Sequence, residues 1–485
     1  MIPIGLYRPD LAETNAGVSL TILNAILQSD GNGVAYGPHP GFAPLDTADA
    51  LPDVQRGTVS VVTRSGQYQN YVGTVDKLFR VSASGAVTEI GSGYAVPTGD
   101  NWSMQQFGDF VYFTNRSDGI LRYNVESGGD VVAVDGAPKA RVLIVLFNTL
   151  AALDCDGNNR LLMTSAINDG ATWSGDASNT YQEFPEGEDL LGGGELGSAL
   201  AVVLQRNAIR VLSRTRDRSI FTSDLLATGV GAQGTDGIVI ARGWAYFVDT
   251  DGFQRTNGQS IEAIGKDKVS ATFIKSLAGG ALTSVQGAYD PSNNRILYRY
   301  RKSSVISETV FKDILAVDVD KLEWVPVAID TTALIAMSSP GYSLDELGQF
   351  GTLDGLPYPL DSRAWKGGEP RLAGYDADLK FGFMSGDSLP ATLETGAQSD
   401  GTGKRITGAV PYTDGADGIT VQLGVKQRIS DAFAWGEAVG IDEDGFCPVD
   451  EAGRLFSLRF SSAAGAAWSF MRGFDHLEAN QRGSR

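Results

Sequence analysis

Two residue types that carry much of enzyme and metal chemistry are nearly missing: the 485 residues contain two cysteines and two histidines. Cys155 and Cys447 lie far apart in sequence. A disulfide framework needs more cysteines than that, so they read as reduced, packed thiols. His39 sits in a Pro-Gly loop and His476 near the C-terminus, which leaves little for a histidine-based triad. No G-x-S-x-G elbow and no Walker A motif occurs, and the glycines of LLGGGELGS (190–198) lack the following Lys-Ser or Lys-Thr and read as a turn. Long apolar runs are also missing. VSLTILNAIL (18–27) is too short to span a bilayer, and Arg8, Asp10 and Glu13 before it do not make a signal peptide, so a protein folded in a cytoplasm is expected. Basic charge is scarce, with 39 Lys and Arg against 58 Asp and Glu, a formal net charge of −19. Binding nucleic acid by counterion release needs the opposite balance. Such a chain makes a poor general DNA binder, although DNA can pass it without being gripped.

What is present is β grammar. Hydrophobic residues make up 42% of the chain and aromatics 9%, which is enough for a large core, and 60 glycines are scattered without a collagen period. Residues 1–57 are punctuated by Pro and Gly and read as an extended N-terminal strap. From residue 58 short alternating segments recur in fours, joined by turns: TVSVVTR to AVTEI, NWSMQQF to DVVAV (101–134), ARVLIVLF to ATWS (140–174), ALAVVLQ to SIFTS (199–223), GIVIA to SIEAIG, and LTSVQGAYD to KLEWVPVA (282–328). Equivalent strands recur at roughly 40–50 residues, the spacing of propeller blades. About six units are visible, with a less regular candidate for a seventh near 332–375. Past about 376 the spacing breaks, and LKFGFMSG to RLFSLRFS reads as a separate β domain. Leu455 to Phe460 alternate with period two. The expected fold is all-β: a β-propeller of six or seven blades over 58–375, a strap over 1–57 and a small sandwich-like domain over 376–485.

Three acidic turns raise the question of a metal. DCDGNN (154–159) supplies Asp154, Asp156 and Asn158 at calcium-loop spacing, but Asn159 stands where Gly belongs and Ser165 where the closing Glu belongs. DTDG (249–252) and DEDG (442–445) supply two acids each. All three read better as hairpin turns, where Asp-Gly provides positive φ. AINDGATW (166–173) resembles a degenerate Asp-box, the turn motif of sialidase-type propellers, with Asn168 in the Asp place and Trp173 as the packing aromatic. No catalytic, cofactor or metal residues are therefore assigned. One basic cluster stands out in the acidic chain: Arg206, Arg210, Arg214, Arg216 and Arg218. It can be a solvated edge that discourages strand-to-strand pairing, a contact with an acidic neighbour in a ring of identical subunits or on another protein, or a DNA contact. The segment EFPEGED, with Glu183, Glu186, Glu188 and Asp189, is the expected acidic counterpart, since Arg–carboxylate pairs also fix orientation.

Several phrases then fit one family: GDNWSMQQFGDFVYFTNRSDGILRYN (99–124), TYQEFPEGED (180–189), GELGSALAVVLQRNAIRVL (194–212), WAYFVDTDGFQRTNGQSIEAIGKDKV (244–269), LDGLPYPLDS (353–362) and AAGAAWSFMRGF (463–474). Together they resemble the tail-hub or nozzle proteins of short-tailed phages, also called packaged-DNA-stabilisation proteins. The resemblance implies a structural virion protein without catalytic residues, six copies of which form a ring below the portal and adaptor. Such a homohexamer continues the channel for double-stranded DNA, retains packaged DNA, and attaches tail fibres, spikes or a needle. It resides in the virion tail after assembly in the host cytoplasm, with no membrane partner. A propeller closes on itself, so the strap and the C-terminal domain are expected to carry the subunit interface, and removal of residues 1–40 is expected to weaken the ring but spare the propeller. The competing readings are a propeller adhesion or baseplate module and a sialidase-like glycosidase.

Overall fold

The structure is a computed structural model. It describes all residues except 16, 30–32, 67, 83–84, 216–219, 278, 280, 303–310, 339–369, 400–403 and 482–485. The chain is all-β and built on a β-propeller. Among the described residues seven four-stranded antiparallel sheets follow one another in chain order. Their first strands are Thr58–Val62, Ser103–Phe107, Ala140–Leu146, Leu190–Gly197, Val239–Ala241, Gln286–Asp290 and Ala333–Ser338. Each first strand touches the next, and the seventh touches the first, which closes the ring. The irregular unit near 332–375 is thus a true seventh blade. Each blade buries one face against each neighbour. Val72 and Phe79 of blade 1, for example, share a core with Ile335, Ala373 and Phe381 of blade 7. Radial stacking covers the apolar sheet faces, which is why short strands suffice.

The LLGGGELGS run is a strand rather than a turn. Leu190–Gly197 is the inner strand of blade 4 and pairs with Leu200–Gln205. Its glycines answer to close packing: a Cβ on Gly193 would lie 2.1 Å from Val202 O, and one on Gly192 would lie 2.8 Å from Ile238 Cδ1 in blade 5. At Gly192 and Gly193 the neighbouring strand and the start of blade 5 leave no room for a side chain.

The N-terminal segment is not a strap, and the boundary at 375/376 moves. Phe381–Ser388 is the third strand of blade 7, and its outer neighbour is Pro40–Pro44, paired antiparallel with Gly382↔Pro44 and Ser388↔Pro40 in register. The ring is therefore closed by a strand from the N-terminus. Residues 2–38 belong to the C-terminal domain, a pair of six-stranded sheets. In one sheet Ile2–Pro3 and Val34–Pro38 pair with Met471–Gln481, and Ala25–Ser29 adds the edge. In the other Ile22–Leu23 pairs with Thr392–Glu394. Ile4, Ile22, Ala25 and Tyr36 join Leu393, Val421, Phe460, Met471 and Phe474 in one core. The sandwich that the sequence suggests over 376–485 is real, but it starts near 389 and is completed by residues 2–38.

The sandwich docks on the outer edge of blade 6. Asn24 holds the joint: Nδ2 donates to Pro390 O (2.8 Å), Oδ1 accepts from the Ala328 N–H (2.7 Å), and its own N–H reaches Pro326 O (3.0 Å). Asp10 receives the N–H groups of Ala271 and Thr272 in the short helix Ser270–Ser276 (2.9 and 2.8 Å). Arg8 pairs with Glu323. Cys155 and Cys447 are free and buried, one in the propeller and one in the sandwich.

Candidate functional site

The acidic turns resolve first. Asp156 and Gly157 (φ 50° and 82°) form the two-residue turn between Cys155 and Asn158, and Asp154 (φ 56°) sits at the register shift just before it, all in the left-handed backbone that Asp and Gly tolerate. Asp154 is buried at the junction of blades 2 and 3, where Arg116 Nη2 lies 3.2 Å from it. Burial pushes its pKa up and Arg116 opposes this. Arg116 also approaches Asp100 (3.6 Å), which pairs with Arg141 (2.9 Å). Asp249 ends the second strand of blade 5 and pairs with Gly252 across a two-residue turn. Its carboxylate turns inward to the linker between blades 4 and 5, where Gln233 Nε2 lies 3.5 Å from Oδ1. Among the described residues no three His, Cys, Asp or Glu side chains gather as metal ligands would. In AINDGATW the Asp-box reading shifts by one residue: Asn168 supplies the left-handed backbone (φ 58°), and Asp169 Oδ1 accepts the Ala171 N–H (2.8 Å). Trp173 is buried beneath the turn and donates to Gly170 O (3.0 Å).

The basic cluster and its acidic counterpart meet inside one chain. Residues 184–189 link the outer strand of blade 3, Tyr181–Glu183, to the inner strand of blade 4. Arg210, buried on the third strand of blade 4, pairs with Glu186, donates Nε–H to Gln205 Oε1 (3.2 Å), and lies over the Phe184 ring (4.8 Å). Arg206 Nη2 reaches Asp189 Oδ2 (3.0 Å), and its Nε lies 3.9 Å from Glu188. Asn159 of blade 3 also donates to Asp189. Burial pushes the Asp189 pKa up, but the bonds from Arg206 and Asn159 outweigh it and hold the carboxyl below its ordinary value. Within the chain Arg206, Arg210, Glu186, Glu188 and Asp189 pair with one another and fasten the linker out of blade 3 to blade 4. Arg214 and Glu183 remain exposed. Arg216 and Arg218 lie outside the described residues, as does LDGLPYPLDS.

Sequence reading passed over the propeller axis. A cavity of about 240 Å³ is lined there by Gln55, Asn101, Trp102, Asp236, Gln286 and the start of the blade 7 inner strand. Asp236 sits on the linker into blade 5. It accepts Asn101 Nδ2–H from across the ring and Thr235 Oγ1–H (3.2 Å). Burial raises its pKa, opposed by these bonds. Its backbone C=O accepts the Gly287 N–H (2.8 Å), so blades 2, 5 and 6 are tied at the axis. Among the described residues no arginine lines this cavity. The only sequence signal for it was position, since linkers between blades converge on the axis.

No family model matches this chain, and no curated protein matches it. Solved structures resemble it at low identity. Virginiamycin B lyase from Staphylococcus aureus is 15% identical, with 53% of this chain and 86% of that chain covered and a TM-score of 0.31. The extracellular domain of the hybrid two-component system BT4673 from B. thetaiotaomicron is 9% identical, with a TM-score of 0.41. That match covers 84% of this chain and 47% of that one, about half its length. These likenesses concern the propeller fold alone.

Proposed function

We propose that this chain is a structural subunit of a virus particle, of the tail-hub or nozzle class found in short-tailed phages. In this reading it forms a closed ring, six copies in the family it resembles, below the portal and adaptor, and the ring passes double-stranded DNA and anchors fibres or a needle. The observation that carries the reading is the path of residues 2–44, which supply strands to both sandwich sheets and the closing strand of blade 7. Propeller and sandwich are joined by two short links, at His39 and at 389–391, as suits a body that transmits force. The net charge of −19 agrees with a conduit, because phosphate contacts would brake the DNA. A heterologous ring contact needs two different surfaces on each copy. The flank of the sandwich and the far side of the propeller supply them.

Electron microscopy of the purified protein, alone and with its portal–adaptor partners, tests this. A sixfold ring with a hole about as wide as duplex DNA is the expected result, and a monomer under both conditions would refute it. A second reading, an adhesion or baseplate module or a sialidase-like glycosidase, draws on the axial cavity. With no arginine among its described lining residues, that cavity does not offer the carboxylate clamp a sialidase needs. A screen with fluorogenic glycosides decides it: turnover abolished by Asp236→Asn would favour the enzyme.

A further inference from the structure

One crevice in the molecule is built around a buried cation. Blade 6 opens with the hairpin Gln286–Asp290 and Arg295–Arg299. In its loop, Asp290 Oδ1 accepts the N–H groups of Ser292 (3.2 Å) and Asn293 (3.4 Å). Asp290 Oδ2 accepts Asn293 Nδ2 (2.9 Å) and Arg295 Nη2 (3.1 Å). The carboxylate is therefore shared among four donors, and Asp318 on the paired strand adds a second negative charge near the guanidinium. Arg295 is 5% exposed, and its Nε and Nη1 have no hydrogen-bond partner among the described residues. Unpaired donors of a buried arginine are costly, because the group stays charged and loses water.

A cavity of about 220 Å³ opens against Arg295, between the blade 6 hairpin and blade 7. Its wall includes Pro40 of the closing strand, Ser292, Asn293, Ser385 and a second arginine, Arg371. The ionisable groups that line it are Arg295, Arg371 and Asp290, and Asp318 faces Arg295 from the paired strand. The neighbouring His39 is buried and holds its Nδ1 2.7 Å from Pro40 O. The space exceeds what one bridging water needs.

We propose that this crevice is an oxyanion site, in which one carboxylate or phosphate group seats against Arg295 Nε and Nη1 with Arg371 on its other side. Arginine suits such groups because its planar donors match two oxygens at once. The bound anion would bridge blade 6 to blade 7 beside the strand that closes the ring. The site is independent of the ring reading and would stand if that failed.

The test is titration calorimetry of the full chain with inorganic phosphate and with acetate, with sodium chloride at matched ionic strength as the control. Saturable one-to-one binding of an oxyanion, absent with chloride, is the expected result. Preference for phosphate would identify a phosphate-bearing ligand, and preference for acetate a carboxylate. Arg371 is partly exposed, so Arg371→Gln keeps the buried hairpin intact and should weaken binding by about tenfold or more. An anion-free thermal midpoint equal to the wild type checks that the variant is folded. Absence of saturable binding by either anion, or an unchanged affinity in folded Arg371→Gln, would overturn the proposal.

Discussion

Removing residues 1–38 should unfold the sandwich and leave the propeller standing. The cut spares Pro40–Pro44, so blade 7 keeps its outer strand. It takes away Ile2–Pro3, Ile22–Leu23, Ala25–Ser29 and Val34–Pro38, which lie in both sheets of the sandwich. Ile4, Val18, Ile22 and Tyr36 are each at most 6% exposed. At about 1.5–3 kcal/mol per fully buried side chain their loss amounts to about 6–12 kcal/mol. That is an upper estimate, since the unfolded chain already buries some surface. It still matches the whole stability of an ordinary domain, about 5–15 kcal/mol. The cut also uncovers Leu393, Phe460 and Phe474, the facing side of the same core. Limited proteolysis with mass analysis reads the outcome: digestion through residues 392–481 and a resistant fragment from about 40 to 388. A truncated protein that melts in one transition at the wild-type temperature would refute the strand assignment. Loss of residues 1–40, expected from the sequence to weaken the ring but spare the propeller, costs the sandwich as well in this topology.

Phe253 packs against Phe273 (4.5 Å), Trp324 (4.4 Å) and Tyr298 (4.9 Å) between blades 5 and 6. Phe253→Ala should cost about 3–5 kcal/mol in urea unfolding, and a loss below about 1 kcal/mol would show that the cluster is not packed this way. Asn24→Ala should cost about 1–3 kcal/mol by leaving the Ala328 N–H and Pro390 C=O unpaired, and should separate the melting of sandwich and propeller in calorimetry. His39 has its pKa lowered to about 3, first by burial and then by Arg295. The fold therefore keeps it neutral while the unfolded chain protonates near 6.5. Its contribution is full above 6.5 and is lost as pH falls toward 3, by up to about 1.4 kcal/mol per pH unit. Buried Asp154, Asp236 and Asp249, whose pKa values are raised, act in the opposite sense. His39→Gln should flatten the acid side of the stability curve in thermal melts between pH 4 and 7, and curves of equal slope would refute the argument.

Local chemistry was readable wherever it repeats at short range. Alternation in WAYFVD and FQRT gave strands, because side chains of period two cover one face of a sheet and the next blade covers the other. Asp156 and Gly157 gave a turn, because few other residues accept a left-handed backbone. Glycine misled at LLGGG, where it marks close packing between inner strands and not a bend. Opposite charges on Arg206, Arg210 and the 183–189 segment were visible too, but a charge pattern does not say whether its partner lies in the same chain. The spacing of 17 and 24 residues in Arg206–Asp189 and Arg210–Glu186 is bridged only once blades 3 and 4 are stacked.

The sequence by itself determined an all-β propeller with a second β domain and an acidic surface, since all three follow from composition and short-range pattern. Only the tertiary structure decided that Pro40–Pro44 closes the seventh blade and that residues 2–38 finish the sandwich. Strand pairing across more than 300 residues leaves no local signal. An extended Pro- and Gly-rich segment has the same pattern whether it wanders or pairs, and the choice is made by which sheet edges the closed ring leaves unpaired.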